Sequence, residues 1–137
     1  MSALETAAAT RREALLASPV ALWLQATTTD RANVYRLGFV ERHIGNPFVR
    51  ALHGGVVGSM AELSALLELA RLSPGVEAEV VSSSIDYMRV TKDIDLFARV
   101  DVVRLARRLA FLDVWCWQDD ENAPVARASC TVRLFAD

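Results

Sequence analysis

Residues 55–72, GVVGSMAELSALLELARL, are the one segment both long and apolar enough to form a buried helix, and they constrain everything around them. Pro74 and Gly75 end the run, because neither continues a helix. The chain beyond reads as four strands: EAEVVSSSIDYMRV, DIDLFARVDVVRL, RRLAFLDVWCWQ and PVARASCTVRLF. Alternation is clear in Ile94, Leu96, Ala98, Val100 and Val102, and again in Val125, Ser129, Thr131 and Arg133 against their neighbours. Strands joined by consecutive hairpins make an antiparallel sheet. One face of that sheet must be covered, and only residues 55–72 can cover it. The expectation is an α+β domain: a twisted antiparallel sheet of about six strands around one long central helix.

Upstream, residues 2–17 keep a rough three-to-four spacing of apolar positions and predict an extra N-terminal helix, stopped by Pro19. VALWLQATT and NVYRLGFVE, separated by TDRA, read as a strand pair. RHIGNPFVRALHGG reads as a loop on its Gly-Asn-Pro and Gly-Gly signals. With no repeat, linker or low-complexity tract, residues 1–137 are expected to form a single domain, 1–18 being the helical extension.

Composition narrows the function classes. With 53% hydrophobic and 23% charged residues, the 137-residue chain can close a core and is not a disordered segment. A net charge of −2 argues against nucleic acid or an anionic membrane as partner. Ser59, Glu62, Ser64, Glu68 and Arg71 interrupt the apolar run, which falls short of the ~20 clean apolar residues a bilayer demands. Glu5, Arg11, Arg12 and Glu13 sit where a signal peptide needs an apolar segment, so a cytoplasmic location is expected. If Gln118 faces Pro124 across the DDENA turn, Cys116 faces Ala126 and Cys130 faces Leu112. The two thiols are then not cross-strand neighbours and form no disulfide, and without a CxxC they make no metal site.

Two features of the helix carry chemistry. It opens on paired glycines after His53, and it carries Glu62 among Met60, Ala61, Leu63 and Leu66. A helix N-terminus exposes unpaired N–H groups at the positive end of the dipole, and glycines at Gly54 and Gly55 let a ligand approach them. Gly54 and Glu62 are eight residues apart, about 12 Å along a helix, so one chain cannot bring both to one atom. A two-fold partner with its helix running antiparallel alongside can.

NPFVRALHGGVVGSMAE, the later IDYMRVTK, and RRLAFLDVWCWQDDENAPVARASCTVRL together resemble the hotdog fold, and within it the acyl-CoA thioesterases of the phenylacetate-degradation type. The likeness in element order covers roughly residues 20–135. It implies a homodimer or dimer-of-dimers tetramer that hydrolyses acyl-CoA thioesters, with coenzyme A as part of the substrate and neither metal nor bound cofactor. It implies Glu62 as nucleophile or as base for water, and the Gly54 amide as oxyanion donor. His53 supports the glycine turn, Asn46 helps position thioester or water, and Gly55 contacts substrate. Arg89, Arg107 and Arg108 are expected near the CoA phosphates, which suit guanidinium forks.

The sequence departs from the pattern twice. Asn46 lies seven residues before His53, where relatives often have six. The hydroxyl that many relatives place near the carboxylate is replaced by Leu66 one turn on and by Val80 on the following strand, with Ser64, Ser82 and Ser83 as possible substitutes. The second function class is therefore a non-catalytic acyl-CoA-binding or structural dimer. Hydratase chemistry, which uses a His/acid pair in other loop contexts, fits poorly. Glu68 reads as an ordinary helix-surface carboxylate, and Met60, Leu63, Leu67, Phe48 and Trp23 are the expected lining of the acyl pocket.

Overall fold

The computed structural model describes residues 2–136, and its first helix, α1 (Ala3–Leu16), starts where Ser2 and Glu5 cap each other. The Glu5 amide donates to Ser2 Oγ at 3.1 Å, and the Ser2 amide donates to Glu5 Oε2 at 2.9 Å. The next segment corrects the strand expected at VALWLQATT. Pro19–Leu24 form a short helix, α2, with Ser18 as N-cap and Pro19 in its first turn. Gln25 ends it in the left-handed region at φ 58°, leaving only Ala26–Thr28 as strand β1. An apolar run of six residues carries no period that separates helix from strand, so the Ser-Pro start decides.

β2 (Val34–Leu37) pairs with β1, as expected. The stretch read as a loop contains a 3-10 turn at Glu41–His43 and a two-stranded ladder of β3 (Ile44–Asn46) and β4 (Ala51–Leu52). The central helix α3 runs Gly54–Leu72, followed by β5 (Glu77–Tyr87), β6 (Leu96–Leu105), β7 (Leu109–Trp117) and β8 (Ala126–Phe135). The six-stranded sheet has the order β1-β2-β6-β7-β8-β5 with antiparallel neighbours throughout. β5 and β6 are not a hairpin, in contrast to the consecutive pairing expected. β5 pairs with β8 and becomes an edge, and residues 88–95 cross over to β6. The β7–β8 register matches expectation: Cys116 faces Ala126, Leu112 faces Cys130, and both cysteines are free and buried.

α3 packs on the inner face of the sheet, burying Val57, Met60, Ala61, Ala65, Leu67 and Leu69 against alternate residues of β6, β7 and β8. Each large side chain so buried contributes about 1.5–3 kcal/mol. Met60 and Leu67, expected at an acyl pocket, belong to this core instead. Helix and β5 come close at Gly58, where a Cβ would stand 2.8 Å from Ile85 Cδ1.

Glu68 corrects a second expectation. It is 2% exposed, not a surface carboxylate. Its carboxylate accepts the Tyr35 hydroxyl at 3.0 Å and Arg71 Nε and Nη2 at 3.0 and 2.6 Å. Burial, and then the Glu68 charge, raise the Tyr35 phenol well above its ordinary range. Among the described residues no helix is long and apolar enough to cross a membrane, and no group of three or more His, Cys, Asp or Glu could hold a metal.

Candidate active site

α3 begins at Gly54 because His53 is extended (φ −60°, ψ 135°) and folds its ring back over the helix start. His53 Nδ1 accepts the Gly55 N–H at 3.0 Å, and the His53 carbonyl accepts those of Val56 at 2.9 Å and Val57 at 3.3 Å. Among the described residues, nothing accepts the Gly54 N–H. Of the paired glycines, then, Gly54 alone keeps a free donor at the positive end of the helix. Its carbonyl is held by the Tyr87 hydroxyl, which donates at 2.7 Å from the end of β5. Behind the turn, Gly45 lies against His53: a Cβ on Gly45 would stand 2.6 Å from His53 Cα.

Glu62 stands two turns further on, half-buried, and among the described residues no hydrogen bond or ion pair engages its carboxylate. It lines a cleft of about 260 Å³ with Leu63, Leu66 and Val80. Both positions where a hydroxyl was sought therefore do flank Glu62, and both are aliphatic. Burial raises the Cys130 thiol to about 11, with smaller contributions from the Glu62 and Asp113 charges.

The serines sort themselves by geometry. Ser64 is buried with its hydroxyl bonded to the Met60 carbonyl at 2.7 Å. A register shift at Val81 reverses the alternation of β5, so Ser82 and Ser84 share the outer face while Ser83 pairs with Cys130 on the inner face. Ser83 thus joins Val80, Ile85 and Tyr87 on the side that meets α3. The sequence alone did not select among them, because a single bulge exchanges the faces.

A larger cleft of about 670 Å³ opens beside the helix start, between α2 and α3. Val20, Trp23, Ile44 and Val56 supply apolar wall, and His53 and Gly55 line it as well. Val20 and Ser59 line both clefts, which therefore adjoin along α3. Sequence reasoning named Trp23 as pocket lining but placed it on a strand, and so missed that a short helix carries it. Ser18-Pro19 was the available signal.

The remaining candidates fall in different places. Asn46 is exposed and accepts the Phe48 N–H at 3.1 Å and the Val49 N–H at 3.5 Å, closing the loop that carries Phe48. Phe48 itself is 97% exposed on that loop. Arg89 follows Tyr87, at the Gly54 end of the sheet, and donates to the Pro124 carbonyl at 2.6 Å. Arg107 and Arg108 sit in the β6–β7 turn at the opposite end, about 30 Å away for strands of this length. One chain does not bring these three arginines together.

The sheet wrapped around a helix, with a glycine-opened helix start and an unpaired carboxylate on that helix, is the hotdog fold of the thioesterases. The chain belongs to the acyl-CoA thioesterase N-terminal domain family, whose model matches residues 45–133. Among solved structures, the PaaI protein of the Escherichia coli phenylacetic acid degradation operon is 18% identical with a TM-score of 0.78, the match covering 96% of this chain and 95% of that one. A Bacillus halodurans protein with CoA is 18% identical, TM-score 0.76, covering 96% and 85%. A hypothetical thioesterase from Streptococcus pneumoniae, also with coenzyme A, is 22% identical, TM-score 0.66, covering 76% and 78%. At these identities the solved structures speak for the fold, PaaI-like in its architecture. No curated protein matches the sequence.

Proposed function

We propose that the chain hydrolyses acyl-CoA thioesters as a two-fold dimer, each site combining Gly54 of one chain with Glu62 of the other. The observation that carries this reading is two unsatisfied groups on one helix, a free amide at the N-terminus of α3 and an unpartnered carboxylate two turns on, too far apart to act on one atom within a single chain. The thioester carbonyl rests on the Gly54 N–H, which stabilises the oxyanion as it forms. Glu62 takes the proton of an attacking water, or attacks the carbonyl carbon itself to give an anhydride that water then cleaves. Collapse of the tetrahedral intermediate expels CoA as its thiolate.

The open edge at β5 supports the dimer. It is an eleven-residue edge strand, whereas the other edge, β1, has three residues. Val81, Tyr87 and Met88 stand exposed along or just beyond it, and a strand this long is left open mainly where another chain pairs with it. Pairing there brings two α3 helices alongside each other. Arg89, at the Gly54 end, is the arginine within one chain that approaches the CoA phosphates of the same site, and Arg107 and Arg108 reach a nucleotide only from a neighbouring chain.

The test is Glu62→Gln, which keeps shape while removing the charge. Free-thiol release from acyl-CoAs should fall in kcat by about 10²-fold or more with KM little changed. Near-normal kcat in a folded variant removes Glu62 from the chemistry. The aliphatic flanks Leu66 and Val80 favour one second reading, an acyl-CoA-binding dimer without turnover. It predicts tight CoA binding and no thiol release from the unsubstituted protein.

A further inference from the structure

We propose that Tyr87 is a positioning residue: with His53 it clamps the peptide unit between Gly54 and Gly55, and so keeps the Gly54 N–H aimed at the reacting carbonyl. The role rests on the reading of that N–H as oxyanion donor, since the clamp is what would hold the donor in place.

The clamp consists of two bonds to a single peptide plane. The carbonyl oxygen of that plane belongs to Gly54 and accepts the Tyr87 hydroxyl at 2.7 Å. Its N–H belongs to Gly55 and donates to His53 Nδ1 at 3.0 Å. A peptide unit is rigid, so gripping it at both ends fixes the ψ of Gly54 and the φ of Gly55 together. Glycine needs this most, because without a Cβ its dihedrals are the least confined. Paired glycines open the helix start to a ligand, but they also leave the first turn loose, and an oxyanion donor is effective only when it is already oriented.

The helix itself does not call for the tyrosine. The carbonyl of a first helical residue has the N–H four positions on as its partner, so Gly54 needs no second donor. The Tyr87 side chain is exposed, and water could satisfy its hydroxyl. Tyr87 nevertheless reaches from the end of β5 across to α3, and the sequence clears its way. A Cβ on Gly58 would stand 2.8 Å from Ile85 Cδ1 and 3.7 Å from Tyr87 Oη. The missing side chain of Gly58 therefore lets this end of β5 lie against the helix. The hydroxyl has one proton and gives it to the Gly54 carbonyl, so it offers the oxyanion no bond of its own. Its action runs through the backbone.

The experiment pairs kinetics with backbone dynamics on Tyr87→Phe, which removes the hydroxyl and keeps the ring. Thiol release from acyl-CoAs should fall in kcat by about tenfold, with KM within about twofold. That is less than the roughly 10²–10³-fold cost of losing the donor outright. The melting temperature should move by no more than about 4 °C, which excludes partial unfolding as the cause. Amide order parameters of Gly54 and Gly55, from nitrogen-15 relaxation on the full-length protein, should drop from about 0.85 toward about 0.6. Unchanged kcat, or glycine amides as rigid as before, overturns the clamp. A raised KM at full kcat overturns it too, because Tyr87 is then a substrate contact. If the unsubstituted protein releases no thiol from any acyl-CoA, hydrolysis falls, and the glycine order parameters alone decide the clamp.

Discussion

Replacing Gly54 by proline isolates one hydrogen-bond donor with little else disturbed. Gly54 is the first residue of α3, the position where proline is best tolerated, since its missing N–H has no partner inside a helix. His53, the residue before it, already has the extended ψ of 135° that a following proline demands. A Cβ at Gly54 would meet Tyr87 Oη at 3.4 Å, an ordinary contact. Because nothing among the described residues accepts the Gly54 N–H, its loss costs the fold no hydrogen bond. Stability should therefore hold, or rise by about 0.4–1 kcal/mol from the stiffer unfolded chain. Catalysis should not hold: losing one oxyanion donor costs about 10²–10³-fold in kcat. Thiol release and thermal melting on the same Gly54→Pro preparation separate the two effects. Turnover within a few-fold of the unsubstituted protein refutes the donor. A melting point lowered by many degrees refutes the account of the helix start.

Two further predictions concern stability. Glu68→Ala leaves the buried Tyr35 hydroxyl and the half-exposed Arg71 without their shared acceptor, and should cost about 2–4 kcal/mol by chemical denaturation; a loss below about 0.5 kcal/mol would show the Tyr35–Glu68–Arg71 triad to be incidental. His43 has its pKa lowered below 6.5, first by burial, so as pH falls through 6.5 the unfolded chain takes up a proton before the folded one does. Its contribution is present above that pH and lost below it, whereas the depressed carboxylates Asp93, Asp95 and Glu121 act only nearer pH 4. Between pH 7.5 and 5.5 the unsubstituted protein should lose more of its melting temperature than His43→Asn does, and equal losses would contradict the assignment.

The large elements were legible because their patterns are long. Nineteen helical residues and four alternating strands leave one way to bury the apolar face, and the short DDENA turn sets the β7–β8 register. Features that depend on a single residue or a distant partner were not legible. The placement of β5 beyond β8 is decided by how the 88–95 crossover lies, and Thr91 there is buried with its hydroxyl accepting the Leu52 N–H at 2.9 Å. The bulge at Val81 decides which serine faces α3. Glu68 is buried because Tyr35, thirty-three residues earlier, donates to it, and helix periodicity carries no trace of that. In the candidate site, residue type and spacing singled out Gly54 and Glu62, and the family resemblance added His53, whose ring the structure places at the helix start. The wall that faces them, α2, was hidden in an apolar hexamer too short for a period.

The most direct measurement of the central claim, a site shared between two chains, is activity in a mixed dimer. A Glu62→Gln chain and a Gly54→Pro chain, carrying different tags, are co-expressed and the mixed species is purified through both. Each parent homodimer lacks one essential group in every site. In the mixed dimer one site loses both groups, while the other joins the intact Glu62 of the proline chain to the intact Gly54 of the glutamine chain. The account predicts thiol release at about half the rate of the unsubstituted dimer, one working site of two. A mixed dimer no more active than either parent would place Gly54 and Glu62 in separate, single-chain roles and contradict the shared site.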